Sequence, residues 1–81
     1  MPPRYSTAEV ERALSRLGFA LKHQRGSHLR YQAFWRGSVR NVTLTANQRM
    51  IPPGTLGASL RQAGITMEEL GRLVAGEQIA E

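Results

Sequence analysis

The chain has 81 residues, a formal net charge of +5 and 41% hydrophobic residues, enough for one small domain with a modest core. It has no cysteine, which excludes disulfides, thiolate nucleophiles and zinc sites with sulfur ligands and permits an intracellular, cytoplasmic location. No apolar run approaches the ~20 residues of a membrane span, and no apolar signal core follows Met1-Pro2-Pro3-Arg4-Tyr5, so neither membrane insertion nor export is expected.

The charge is unevenly placed. From Arg12 to Met67 there is no Asp or Glu, while that interval holds Arg12, Arg16, Lys22, Arg25, Arg30, Arg36, Arg40, Arg49 and Arg61. All six carboxylates lie outside it, at Glu9, Glu11, Glu68, Glu69, Glu77 and Glu81. An arginine-rich, acid-free interval suits bidentate phosphate contacts and points to a nucleic-acid surface. The plainer reading is a solubilising surface, on which interspersed acids are expected. The same asymmetry bears on chemistry. Two-metal nuclease and Mg²⁺ sites need carboxylate oxygens, and the centre of the chain offers none. Two histidines, His23 and His28, are too few for a histidine-only metal site. No metal or other cofactor is expected.

In chain order, Ser6-Thr7-Ala8-Glu9 has the form of a capping box and opens a first helix. Val10, Ala13, Leu14 and Leu17 form its apolar stripe and Gly18 ends it. Phe19 to Gln24 reads as a strand, with Phe19, Leu21 and His23 on one face and Ala20, Lys22 and Gln24 on the other. Phe19 and Leu21 are expected to face the core, with His23 ending that row as a packed or half-exposed strand-end residue.

Arg25-Gly26-Ser27-His28 reads as a hairpin turn, with Gly26 supplying a positive φ. His28 to Trp35 is the second strand. Leu29, Tyr31, Ala33 and Trp35 make its core face, and His28, Arg30, Gln32 and Phe34 point the other way. Arg36-Gly37 makes the next turn. Val39 to Thr45 follows as a third strand, with Val42 and Leu44 inward and Val39 on the outward set. Three strands joined by tight turns imply an antiparallel meander.

Ala46 to Ile51 is a polar loop containing Asn47, Gln48 and Arg49. Pro52-Pro53-Gly54-Thr55 opens a second helix, lined by Leu56, Leu60 and Ala63 and ended by Gly64. Thr66-Met67-Glu68-Glu69 is a second capping box, starting a third helix with Leu70, Leu73 and Val74 inward and Gly76 closing it. Glu77 to Glu81 is expected to fray. The fold class is therefore α+β, in the order α-β-β-β-α with a short extra C-terminal helix. Its helices lie on one face of a three-stranded antiparallel sheet. Residues 1–81 are expected to form a single domain with a core over 6–75.

This order resembles the double-stranded RNA-binding fold, whose members read A-form shape through phosphates and 2′-hydroxyls. At residue level, Leu17-Gly18-Phe19 and then Arg25-Gly26-Ser27-His28 with Tyr31 look like the HicA (YcfA-type) toxin family. Val42-Thr43-Leu44, Pro53-Gly54-Thr55-Leu56 and Leu60-Arg61-Gln62-Ala63-Gly64-Ile65 are similar to it as well. The resemblance covers about Ser6 to Val74. It implies a toxin that cleaves mRNA and is paired with a HicB-type antitoxin. The histidine after Gly-Ser is taken as catalytic in that family, and here that position is His28. The chain departs from the family pattern at Leu29, where a second histidine is frequent, and at Thr45, where a proline often stands. A histidine frequent in the next loop has Asn47 as its nearest counterpart. A two-histidine mechanism would have to recruit His23.

Metal-free RNA cleavage needs a base for the 2′-hydroxyl, charge stabilisation at the phosphate and a proton for the leaving oxygen. Imidazole titrates near neutrality and can act as base or acid. His28 is the outward-facing candidate, with Arg25 and Arg30 placed to stabilise the phosphate. Lys22, Arg25, Gly26, Ser27, Arg30, Arg40 and Arg49 are the expected RNA contacts, through side chains and the backbone of the Gly26 turn. Two readings follow: a metal-independent endoribonuclease toxin, or a non-catalytic double-stranded RNA-binding module of the same fold.

Overall fold

The computed structural model describes residues 4–81; Met1, Pro2 and Pro3, the start of the segment expected to carry no export signal, lie outside them. The elements are α1 (Thr7–Arg16), β1 (Ala20–Arg25), β2 (His28–Trp35), β3 (Ser38–Thr45), α2 (Pro53–Ala63) and α3 (Met67–Val74). The strands form one antiparallel sheet in the order β1-β2-β3. This is the expected α+β order of helix, three strands and two helices. No helix among the described residues is long and apolar enough to cross a membrane.

Both capping boxes form. Glu9 N donates to Ser6 Oγ at 3.1 Å and Ser6 N donates to Glu9 Oε1 at 2.9 Å. Thr66 and Glu69 repeat the exchange at the start of α3, at 2.9 and 3.1 Å. Val10, Ala13 and Leu14 of α1, Leu56, Leu60 and Ala63 of α2, and Leu70 and Leu73 of α3 bury their side chains against Leu29, Tyr31, Trp35, Val42 and Leu44 of the sheet. Alternation along β2 and β3 is what makes this possible, because every second residue of each strand reaches the same face. Tyr31 Oη donates to Glu11 Oε2 on α1. Burial, and next that bond, raises the Tyr31 pKa.

The two hairpins differ. In the first, Gly26 has φ 59° and Ser27 does not share the left-handed conformation, as in a type II′ turn. In the second, Arg36 (φ 48°) and Gly37 (φ 82°) are both left-handed, as in a type I′ turn. A left-handed arginine is strained, and its side chain supplies the compensation. Arg36 donates to the Gly64 carbonyl at 3.0 Å, to both carboxylate oxygens of Glu69 and to the Ala80 carbonyl at 2.7 Å. Its guanidinium also lies 5.1 Å from the Trp35 ring centroid.

Three expectations are revised. β1 runs from Ala20 to Arg25, and its pairing with β2 slips between Leu21 and His23. Lys22 is the extra residue of this β-bulge, so His23 lies opposite Arg30 instead of extending the Phe19–Leu21 row. Leu21, expected in the core, is 46% exposed because β1 is an edge strand that the helices do not reach. Phe19, just before the strand, is buried as expected. Finally, the C-terminal tail does not fray. Ile79 packs against the core, Ala80 receives Arg36, and Arg16 donates to the Gly76 carbonyl at 3.3 Å.

Arg36 holds the Glu69 carboxyl down at about 2, chiefly through its hydrogen bonds. A carboxyl lowered in this way adds stability that is complete above its ordinary value of 4.5 and is lost as pH falls from there towards 2. Glu69→Ala removes the ion pair and a cap together. It should cost about 1–2 kcal/mol at neutral pH, measured by denaturant unfolding. The difference from wild type should shrink below pH 4.5; a difference that is the same at pH 7 and pH 2.5 would contradict the assignment.

Candidate nucleic-acid interface

Among the described residues, the helices cover one face of the sheet and leave the other to solvent. On that outer face the strand register brings residues together in cross-strand rows. Arg25, His28 and Thr45 form the row nearest the first hairpin, and His23, Arg30 and Thr43 form the next. Gln32 follows, donating to Asn41 Oδ1 at 3.0 Å, and Phe34 pairs with Val39 at the far end. The first two rows border an open groove of about 470 Å³, lined by His23, Arg25, His28, Leu29, Arg30 and Thr43.

Each group is there for a local reason. His28 is the first residue of β2, directly after the Gly26-Ser27 turn, and points outward because Leu29 beside it points into the core. Arg30 shares its face by alternation, and Arg25 faces His28 across the hairpin. The bulge at Lys22 adds His23. His23, Arg25, His28 and Arg30 are all exposed. The groove is therefore cationic and carries two imidazoles, a combination able to hold a phosphate and to move a proton beside it.

The turn at the end of the groove is tied to the rest of the domain. The Ser27 carbonyl accepts from Ala46 N at 2.7 Å, joining the first hairpin to the loop after β3. That loop is anchored by Thr7, the first residue of α1. Its hydroxyl donates to the Thr45 carbonyl at 2.6 Å and accepts from Gln48 N at 3.1 Å, while Thr7 N donates to the Gln48 carbonyl at 3.0 Å. Thr7 is buried although polar, and these bonds satisfy it. Asn47, with φ 62°, is exposed at the tip of the loop.

Of the residues expected to contact RNA, Arg25 and Arg30 line the groove with His28, and Gly26 and Ser27 form the turn at its end. Lys22 is exposed on the edge strand at the bulge, and Arg49 is exposed in the loop before α2; neither lines the groove. Arg40 belongs elsewhere. It pairs with Ala33 on the helix side of the sheet and donates to the Trp35 carbonyl at 2.8 Å. Its guanidinium lies over Gly64, where an added Cβ would come within 2.6 Å of Arg40 Cζ. Arg40 thus seals the α2 C-terminus against the second hairpin. Sequence alternation missed His23 and Thr43 as groove residues. Thr43 was legible as an outward residue of β3, whereas His23 depends on a bulge that strict alternation does not contain.

No curated protein matches the chain. A family model described as the HicA toxin of bacterial toxin–antitoxin matches residues 7–65, an interval that holds α1, the whole sheet, the groove and α2. The match spans more than half of the chain, which belongs to the HicA toxin family of bacterial toxin–antitoxin systems.

Proposed function

We propose that this toxin is a metal-independent endoribonuclease, acting as one domain in the cytoplasm on mRNA through His28 and neutralised by a HicB-type antitoxin. The observation that supports this most is the placement of an exposed His28 across from Arg25, on the same face as Arg30, in a groove that no helix of the described residues covers. Arg25 and Arg30 bind the two non-bridging oxygens of a phosphate and stabilise the charge that builds on them. The backbone of the Gly26-Ser27 turn approaches the same phosphate closely, since neither residue presents bulk there. His28 exchanges a proton with the reacting oxygens as the ribose 2′-hydroxyl attacks phosphorus. Lys22 and Arg49 extend the RNA path along the edge strand and the loop before α2. No carboxylate lies between Arg12 and Met67, so the chemistry is assigned to imidazole and guanidinium groups.

His28→Ala should leave stability within ~0.5 kcal/mol, because the side chain is exposed. RNA binding should be largely retained, and cleavage should fall at least ~10²-fold. Wild-type cleavage should persist in excess EDTA; loss in chelator with recovery on adding Mg²⁺ would rule out the metal-free mechanism. A wild type that binds RNA and never cleaves it would favour a non-catalytic binding module.

The arginines make different predictions. Arg30→Ala should weaken binding to unrelated RNAs by a similar factor and flatten the salt dependence of affinity, with little effect on stability. Arg40→Ala should do the reverse, lowering stability by about 1–2 kcal/mol through loss of its carbonyl contacts, with RNA affinity per folded molecule retained. Salt titrations and denaturant unfolding on the two variants separate these outcomes.

Synthesised alone, the protein should arrest growth, and co-expression with an acidic antitoxin that covers Arg25 and Arg30 should relieve the arrest. Normal growth with abundant folded wild-type protein would oppose the toxin activity.

A further inference from the structure

We infer that His23 and His28 form an acid–base pair, one imidazole taking the 2′-proton and the other delivering a proton to the leaving 5′-oxygen. This rests on the ribonuclease activity proposed above and adds a second catalytic residue to it. The observation behind it is the β-bulge. In an unbroken ladder Lys22 would oppose Arg30, and His23 would fall on the core side of the sheet opposite Leu29. With Lys22 inserted as an extra residue, His23 opposes Arg30 on the outer face, and both His23 and His28 line the groove. Bulges commonly re-aim a side chain beside a reactive site.

The separation suits the task. His23 is paired with Arg30 and His28 stands two residues before Arg30 on β2, so the histidines are diagonal neighbours on one sheet face. Such neighbours have backbones about 7–8 Å apart. In-line displacement at phosphorus puts the attacking and leaving oxygens on opposite sides, so base and acid must flank the phosphate. Two imidazoles on a diagonal can do this, whereas neighbours in one cross-strand pair would crowd it. Arg25 and Arg30 occupy the other two corners of the same rectangle and face the non-bridging oxygens.

The chemistry balances. A bond forms between the 2′-oxygen and phosphorus as the bond from phosphorus to the 5′-oxygen breaks. The neutral imidazole gains the 2′-proton and the imidazolium loses one to the 5′-oxygen. The products are a 2′,3′-cyclic phosphate and a 5′-hydroxyl, and no oxidant, reductant or co-reactant is consumed. The charged and titratable groups facing the pair are Arg30 across from His23, Arg25 across from His28, and each histidine towards the other. No helix among the described residues adds a carboxylate to this face. Because one imidazole must be neutral and the other charged, the rate should rise and then fall as pH increases.

The test uses the full chain, an RNA substrate and a uridine 3′-(4-nitrophenyl phosphate) diester, whose leaving phenolate needs no proton. His23→Ala should fold, bind RNA and lose at least ~10²-fold in RNA cleavage. His28→Ala should do the same, and each variant should turn the bell-shaped pH profile into a single limb. On the nitrophenyl ester the variant lacking the acid should recover to near the wild-type rate, and the variant lacking the base should not. Should His23→Ala fail to fold, His23→Gln keeps a polar side chain of similar reach without its proton chemistry, and the same loss is expected. If His23→Ala or His23→Gln cleaves RNA within a few-fold of wild type with the bell intact, the pair is overturned and His28 stands alone. If both variants respond alike to the ester, the division of roles is overturned. If the wild type does not cleave RNA, the ribonuclease activity itself falls, and this inference with it.

Discussion

Among the described residues, three short helices cover only one face of the three-stranded sheet. Hydrophobic residues at alternate positions of β2 and β3 commit one face to the core, and everything else in the molecule follows from that choice. The covered face collects Leu29, Tyr31, Trp35, Val42 and Leu44 beneath the helices. The uncovered face is left with the intervening positions, and at one end these are His28, Arg30, Thr43 and Thr45. The groove residues need no pocket carved into the core. They stand on the back of a rigid layer whose other side is packed, so their backbones are held by the same contacts that stabilise the fold.

Away from the groove, Arg36 performs the joining role. Its guanidinium links the second hairpin, the end of α2, the start of α3 and the C-terminal tail in one set of bonds. Arg40 reinforces it from the neighbouring strand through the Trp35 and Arg36 carbonyls. The arginines of the acid-free interval are therefore not a uniform population. Arg36 and Arg40 spend their hydrogen bonds inside the domain at one end of the sheet, while Arg25 and Arg30 are exposed at the other. Composition alone cannot separate the two uses, because both begin with the same residue in the same kind of strand-and-turn context.

Most of the architecture was legible because its signals are local. The capping boxes at Ser6 and Thr66, the glycine turns and the two-residue periodicity of β2 and β3 each act over a few residues, and each is realised. The face carrying His28 and Arg30 was legible for the same reason. Position was harder to read where it depends on partners distant in sequence. The bulge at Lys22 is a property of the pairing between β1 and β2, so alternation within β1 put His23 on the wrong side. Leu21 has a hydrophobic side chain in an edge strand beyond the reach of the helices. The tail after Gly76 is ordered by Arg16 and Arg36, far back in the chain, and has no helical or strand signal of its own.

The two edges of the sheet are finished in different ways. Along β3, α2 closes the open backbone at Thr43, with Ser59 donating to its carbonyl at 3.1 Å and Gln62 accepting from its N–H at 3.0 Å. Along β1 no such cover exists among the described residues, and a bare edge is a template on which a second chain can add a strand. The extra residue at Lys22 interrupts the regular spacing of donors and acceptors that such a chain would need, and it sets a cation on that border. The irregularity that turns His23 to the solvent face thus also discourages self-association. The border beside the groove thus offers no straight ladder to a copy of the chain.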